Sequence, residues 1–320
     1  MSKSRPAAGL AAPSPVDLFD HWTSQILRYS DLDRMRHVNN VSTISLYEDG
    51  WQRFVDDGEL GETAGTVWRV NYTGIDFRKQ LHYRDDLRVG TRLAGMSEGR
   101  LRVSHILLRD GETVGAAQRL VTPLDRHTGT PLHVSGSLLN RAQEAVDPNL
   151  RAPFIATNSG TLPTAFGDDT AYQVLRDDIL RFADLDADEH IGRLTQLKLI
   201  ESGRVGLIQD IGAPTEDPDV IWMAAHVALN FLEWPNPHAG TRTGTRVEDF
   251  GNSSCFLRQT VFSEGRMIAT GGAVVALANR KTLKPVRIPD NLRERLESAP
   301  ESNVPPSERY DPGKRIREQT

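Results

Sequence analysis

The sequence has one cysteine, no long apolar run and no excess of positive charge, and each shortage excludes a class of protein. A single Cys among 320 residues excludes an intrachain disulfide and favours a reducing, cytoplasmic setting. No apolar run approaches the ~20 residues that span a bilayer, and the first residues lack the apolar segment of a signal peptide. With 38 Lys+Arg against 43 Asp+Glu, the net charge of −5 gives no electrostatic case for nucleic acid or an anionic membrane.

The chain does contain a long internal repeat. Residues 28–55, RYSDLDRMRHVNNVSTISLYEDGWQRFV, recur as residues 181–208, RFADLDADEHIGRLTQLKLIESGRVGLI. The gapless alignment has eight identities, where chance predicts about two. In the first copy the identical residues are Arg28, Asp31, Leu32, Asp33, His37, Leu46, Glu48 and Gly50.

The repeat continues downstream, so its unit is a whole domain. At an offset of 154 residues, the segment 111–134 matches the segment 265–288. We therefore predict a flexible arm over 1–18, a first domain over 19–136, a linker over 137–170, a second domain over 171–297 and a flexible tail over 298–320.

In each copy the pattern predicts one helix followed by antiparallel strands. We expect a short strand over Gln25–Tyr29, then a helix that Asn39 or Asn40 caps and that closes at residues 56–58. Four strands are predicted over 66–78, 86–97, 101–109 and 113–124, with Asp110-Gly111 as a hairpin turn. The fold class is therefore α+β, with the helix covering one face of the sheet.

The segment D-x-D-x-x-x-H-V-N-N, followed by a helix with a Glu eleven residues past the His, resembles the hotdog-fold thioesterases. The closest types are the 4-hydroxybenzoyl-CoA thioesterase-like enzymes and the fatty acyl-ACP thioesterases. The resemblance covers roughly 24–134 and 172–288. It implies two tandem hotdog domains, each a long helix wrapped by an antiparallel sheet, and it is compatible with further pairing into a homodimer.

The repeated motif carries the candidate catalytic groups. Thioester hydrolysis needs a base or nucleophile and hydrogen-bond donors for the developing oxyanion, and a carboxylate beside a helix start can combine both. The resemblance points to the second Asp of D-x-D as the catalytic carboxylate, acting as base or nucleophile. The candidate catalytic residues are Asp33, His37 and Asn40 in the first copy and Asp186 and His190 in the second.

The two copies differ at positions that bear on this choice. Plant acyl-ACP enzymes carry D-x-N-x-H, whereas the middle residue here is Met35 in the first copy and Asp188 in the second. Because only the first copy keeps H-V-N-N, Asp33 is favoured over Asp186. Two structural alternatives remain: Asp33 caps the turn, and His37 bonds a loop carbonyl.

Glu48 and Glu201 lie on the apolar stripe of the predicted helices. A carboxylate there is expected to be buried and paired, so a structural role is favoured over a catalytic one.

The cations Arg78, Lys79 and Arg84 are candidates for binding the phosphates of coenzyme A, although a solvated loop explains them too. No metal is expected, because no second His or Cys stands at ligand spacing, and no cofactor is expected.

The leading hypothesis is a cytoplasmic hydrolase of acyl thioesters, acting on acyl-CoA or acyl-ACP. One alternative is a hotdog protein that binds an acyl thioester without cleaving it. A second is a hotdog dehydratase or hydratase, whose His and acidic residue are arranged differently.

Overall fold

The computed structural model describes residues 15–33, 36–61, 65–145, 172–185, 191–210, 219–234 and 240–298. The chain forms two compact units. One consists of Met1–Phe154 with Ala224–Asn230, and the other of Ile155–Met223 with Phe231–Thr320. Among the described residues, no helix is long and apolar enough to cross a membrane. The predicted arm up to residue 14, the linker from residue 146 and the tail beyond residue 298 lie outside the described residues.

The first unit packs one long helix on an antiparallel sheet. Its elements are β1 (His21–Gln25), α1 (Asn40–Asp56), β2 (Thr66–Phe77), β3 (Leu87–Ser97), β4 (Arg100–Arg109), β5 (Glu112–Asp125) and α2 (Gly136–Glu144). The strand order is β1-β3-β4-β5-β2. Residues 226–230 pair antiparallel with β2, from Tyr72 opposite Asn230 to Asp76 opposite His226.

The second unit repeats this order of elements. It contains β6 (Val174–Ile179), α3 (Arg193–Asp210), β8 (Gly240–Phe250), β9 (Ser254–Ser263), β10 (Arg266–Asn279) and α4 (Asp290–Glu297). The strand β7 (Val220–Phe231) follows α3 in the chain, and its residues 224–230 belong to the first unit. Strands β10, β9, β8 and β6 are hydrogen-bonded in that order. The predicted α+β class is thus confirmed, with one long helix and an antiparallel sheet in each copy.

Local sequence signals account for the helix and the hairpins. Asn39 caps α1, because its side-chain oxygen accepts a hydrogen bond from the Val41 amide at 2.7 Å. The predicted turn between β4 and β5 is confirmed: Asp110 and Gly111 have φ of 50° and 81°, as a type I′ turn requires. Glu264 and Gly265 repeat this geometry between β9 and β10, with φ of 49° and 75°.

The strand predicted over Gln25–Tyr29 is wrong. The strand is β1, whose residues His21 to Gln25 pair with β3. Residues 29–31 form a turn of 3-10 helix instead, and Ile26 is 89% exposed. Pairing with a strand that lies 62 to 70 residues further along the chain fixed β1, and local propensity could not reveal it.

The repeated glycine of the motif serves the packing of helix on sheet. A Cβ at Gly50 of α1 would lie 2.6 Å from Cγ1 of Val89 on β3. A Cβ at Gly203 of α3 would lie 2.6 Å from Oγ1 of Thr245 on β8. Both helices therefore approach their sheets more closely than any other residue at these positions allows.

Helix α2 begins at the start of the stretch predicted as the linker. Its Ala142 is fully buried, so this helix is a packed part of the first unit. Helix α4 begins 154 residues after α2 and buries Leu292 and Leu296 in the second unit. A closing helix is therefore a repeated feature of the domain.

Candidate active site

The motif loop of the first unit is a tight hairpin that ends at α1. The Asp33 amide donates to the His37 carbonyl at 2.8 Å, and the Asn39 amide donates to the Asp31 carbonyl at 2.8 Å. The Arg36 amide donates to the Asp33 carbonyl at 3.0 Å, and Arg36 adopts a positive φ of 64°. The backbone hydrogen bonds of the loop thus bring Asp33 beside His37.

The carboxylate of Asp33 is oriented by this loop. Its Oδ1 accepts a hydrogen bond from the backbone amide of His37 at 3.0 Å. The side chain is half-buried, so it keeps some access to solvent.

The first Asp of the motif has a structural role in both copies. Asp31 Oδ2 accepts a hydrogen bond from the Arg28 amide at 2.7 Å, and Asp184 Oδ2 accepts one from the Arg181 amide at 2.9 Å. These bonds close the 3-10 turns that precede each loop. The need to close this turn in each copy explains why the Asp is repeated.

The start of α1 presents backbone donors. In the first turn, the Val41 amide donates to Asn39 and the Thr43 amide to the Asn39 carbonyl. Within the part of the chain that the structure describes, the amides of Asn40 and Ser42 donate to no acceptor. Such amides, together with the positive end of the helix dipole, can stabilise an oxyanion.

The ring of His37 lies against a second histidine. The two form an isolated β-bridge, and the ring of His82 stands edge-on to that of His37 at a centroid distance of 5.4 Å. The His82 amide donates to Asp85 Oδ2 at 2.8 Å, which holds this second loop in place.

The three candidate cations differ in their partners. Arg78 Nη2 lies 3.5 Å from Asp76 Oδ2, and Lys79 forms an ion pair with Glu112. Arg84 lies with its guanidinium carbon 5.8 Å from the ring centroid of Tyr83. Among the described residues, Arg84 alone of the three has no carboxylate partner.

The expected pairing of Glu48 is confirmed. Its Oε1 lies 2.9 Å from Nη1 of Arg119 on β5, whose side chain is fully buried. This ion pair supports a structural role for Glu48. The position of Arg119 is occupied by Ala273 in the second copy, so the pair belongs to the first unit alone.

Sequence reasoning missed one pair of polar residues in the first unit. Nδ1 of His226 lies 2.7 Å from Oδ1 of Asp76, and both side chains are largely buried. The two residues are 150 positions apart. No spacing in the sequence could therefore have linked them, and only the pairing of residues 226–230 with β2 brings them together.

Two of the candidate residues, Asp186 and His190, lie outside the described residues. Cys255 is the second residue of β9 and is buried, and burial raises the pKa of its thiol to about 12, so it is no nucleophile at neutral pH. Among the described residues, no cluster of three or more His, Cys, Asp or Glu side chains could hold a metal ion.

Comparison with known proteins identifies the class. A family model described as the thioesterase-like superfamily matches residues 27–154. No curated protein sequence matches the chain.

Solved structures show the same fold across both copies. A structure described as a putative oleoyl thioesterase from Lactobacillus plantarum superposes with a TM-score of 0.63 at 11% identity, covering 80% of this chain and 95% of its own. An acyl-ACP thioesterase from Bacteroides thetaiotaomicron gives 0.61 at 9% identity, covering 81% and 98%. The 12:0-ACP thioesterase from Umbellularia californica gives 0.62 at 11% identity, covering 80% and 93%.

The protein is therefore a tandem hotdog. Its first repeat, which the family model spans, belongs to the thioesterase-like superfamily. This class supports thioester hydrolysis as the general reaction.

Proposed function

We propose that this protein hydrolyses acyl thioesters of coenzyme A or of an acyl carrier protein, with Asp33 as base or nucleophile. The observation that carries the proposal is the motif loop, in which one hydrogen-bonded hairpin presents a carboxylate and leads directly into the start of α1. The superfamily match over residues 27–154 covers this loop and the helix.

In the proposed reaction, the thioester carbonyl lies at the start of α1. The amides of Asn40 and Ser42 donate to its oxygen as negative charge develops there, and Asp33 attacks the carbonyl carbon or takes a proton from the attacking water. His37 positions Asp33 through its backbone amide. Its ring, which stands edge-on to that of His82, assists the leaving thiolate.

We assign the binding of substrate phosphate to Arg84 ahead of Arg78 and Lys79. The last two are already engaged with Asp76 and Glu112, so a phosphate would have to displace a carboxylate. Arg84→Ala is therefore expected to raise KM for acyl-CoA with little change in kcat, since an exposed cation contributes to binding alone.

The test compares thiol release by the wild type and by Asp33→Asn over a panel of acyl-CoA and acyl-ACP substrates. Loss of a general base lowers kcat by about 10²–10⁴-fold. Asp31→Asn is the matched control, because its side-chain oxygen can still accept from the Arg28 amide, and its activity is expected to stay close to wild type.

The second copy is tested in the same assay. Asp186→Asn measures whether its loop also turns over substrate, and we expect it to have the smaller effect. Full activity in Asp33→Asn would contradict the assignment of Asp33. No turnover of any acyl-CoA or acyl-ACP by the wild type would contradict the proposed function.

A further inference from the structure

Two aromatic rings stand exposed on the surface of the first unit, beside the motif loop. Tyr29 is 75% exposed and Tyr83 is 44% exposed, and their rings are edge-on to each other at a centroid distance of 6.1 Å. The guanidinium carbon of Arg84 lies 5.8 Å from the Tyr83 ring centroid. The two rings and the guanidinium group form one exposed cluster, which we call the aromatic cluster (Tyr29, Tyr83 and Arg84).

The loop that carries Tyr83 and Arg84 is fixed to the rest of the first unit. The Val38 amide of the motif donates to the Leu81 carbonyl at 2.9 Å. The Asp85 carboxylate accepts a hydrogen bond from the His82 amide at 2.8 Å and lies 3.7 Å from Arg109 Nη1. The aromatic cluster therefore rests on a frame that backbone hydrogen bonds and an ion pair hold in place.

Three exposed arginines belong to these two loops. Arg28 directly precedes Tyr29, Arg36 directly precedes His37, and Arg84 is part of the cluster. Within the described residues, none of the three forms an ion pair with a carboxylate. Arg36 and Arg84 also hold positive φ angles of 64° and 78°, a costly conformation that proteins retain mainly at functional sites. Unpaired guanidinium groups of this kind attract a ligand with several negative charges.

The second copy keeps only part of this arrangement. Phe182, which is 81% exposed, occupies the position of Tyr29. The other aligned pairs of the sequence are Tyr83 with Pro237, Arg84 with His238, and Arg36 with Glu189. The second member of each of these pairs lies outside the described residues, but its residue type already removes a ring or a guanidinium group. The complete cluster is thus a property of the first unit and is not required by the fold.

An aromatic ring next to unpaired guanidinium groups has the chemistry that binds a nucleotide. The flat face of a base stacks on an aromatic side chain, whichever base it is. Phosphate oxygens accept paired hydrogen bonds from the planar guanidinium group. A protein surface rich in carboxylates would satisfy the arginines, but it would leave the exposed rings without a flat partner.

We propose that the aromatic cluster is a nucleotide subsite for the adenine and phosphate groups of coenzyme A, so that the first unit takes acyl-CoA ahead of acyl-ACP. This choice of carrier rests on the function proposed above. The adenine stacks on the exposed ring of Tyr29, and Arg84 pairs with a phosphate. Tyr83 contacts both of these side chains and orients them. The pantetheine arm, a flexible chain with two amide groups, leads from the subsite to the motif loop.

The first test needs no turnover. Adenosine 3′,5′-bisphosphate, which carries the adenine without the pantetheine arm, is titrated into the full chain by calorimetry. Tyr29→Ala is expected to weaken its affinity about fivefold to a hundredfold, because it removes the stacking ring. Tyr29→Phe keeps the ring and should bind as the wild type does. Phe182→Ala is the matched control, since it removes the exposed ring at the same position of the second copy, and the affinity should not change.

The second test compares carriers of one acyl group. The value of kcat/KM is measured for the acyl group on coenzyme A, on pantetheine and on an acyl carrier protein. We expect acyl-CoA to exceed acyl-pantetheine by about tenfold or more, chiefly through a lower KM, since the nucleotide adds binding remote from the reacting bond. Tyr29→Ala should reduce this ratio several-fold, whereas Phe182→Ala should leave it at the wild-type value.

Failure of this inference and failure of the proposed function give different results. No binding of the bisphosphate, an affinity unchanged in Tyr29→Ala, or turnover of acyl-pantetheine or acyl-ACP as efficient as that of acyl-CoA overturns the nucleotide subsite. Hydrolysis with another carrier would then leave the proposed function standing. If the wild type cleaves no thioester but binds the bisphosphate through Tyr29, the subsite stands and the proposed function fails.

Discussion

Separating the buried ion pair of Glu48 and Arg119 is expected to be among the most destabilising single changes in the first unit. Arg119 is fully buried and the Glu48 side chain is 13% exposed, and their closest atoms are 2.9 Å apart. Arg119→Met removes the guanidinium from beside the Glu48 carboxylate. Glu48→Leu removes the carboxylate from beside the fully buried guanidinium.

The magnitude follows from the loss of one partner of a buried pair, which costs about 3–5 kcal/mol. Glu48→Leu is expected at the upper end, because Arg119 cannot lose its charge and is more deeply buried. The double variant, with two apolar side chains, removes both charges and should be less destabilised than either single variant. The coupling in the double-mutant cycle is then of the order of 3 kcal/mol or more, well above ordinary non-additivity.

The assay is urea unfolding of the full chain, followed by fluorescence and circular dichroism. Because two units need not unfold in one step, both probes are compared at every stage. The exposed pair of Arg53 with Asp49 on the same helix is the control, and Arg53→Ala should cost less than about 1 kcal/mol. Additive single effects, or a double variant less stable than both, would refute the reasoning.

Two further predictions concern the same helix–sheet interface. Gly50→Ala places a Cβ 2.6 Å from Val89 Cγ1, so we expect a loss of about 1–3 kcal/mol from overpacking, partly offset by better helix propensity, and recovery on adding Val89→Ala. An unchanged unfolding midpoint in Gly50→Ala would contradict the close approach. For His105, whose pKa is lowered by burial in the folded state, the unfolded chain binds the extra proton, so stability is fully present above pH 6.5 and falls as the pH drops below it. His105→Gln should flatten this part of the stability–pH curve, and a curve identical to that of the wild type would exclude His105 as its source.

Much of the fold was predictable because its signals are local. The cap at Asn39, the turn at Asp110-Gly111 and the apolar stripe of α1 act within a few residues of chain, so they can be read in order along the sequence. The repeat then transfers each prediction to the second copy. The position of Glu48 on the apolar stripe also predicted a buried partner, although no local pattern identifies Arg119 as that partner.

The roles of the repeated residues could not be separated in the same way. The alignment of the two copies shows identity at Asp31, Asp33 and Gly50 alike, so it does not distinguish the roles of these residues. The structure shows that Asp31 closes a turn and that Gly50 allows α1 to approach β3. The Asp33 carboxylate instead accepts a hydrogen bond from the His37 amide within the motif loop. These roles depend on which backbone atoms come close in space.

The sequence by itself determined the duplication, the α+β class and the loop that holds the candidate carboxylate. All three follow from residue patterns within short segments of the chain. Only the tertiary structure decided that β1 ends at Gln25, that His226 meets Asp76, and that the buried rings of Tyr47 and His105 pack 6.0 Å apart. Each of these depends on strand pairing or helix packing between distant segments. The register of those contacts is set by burial and hydrogen bonding across the whole unit, which no local window of sequence contains.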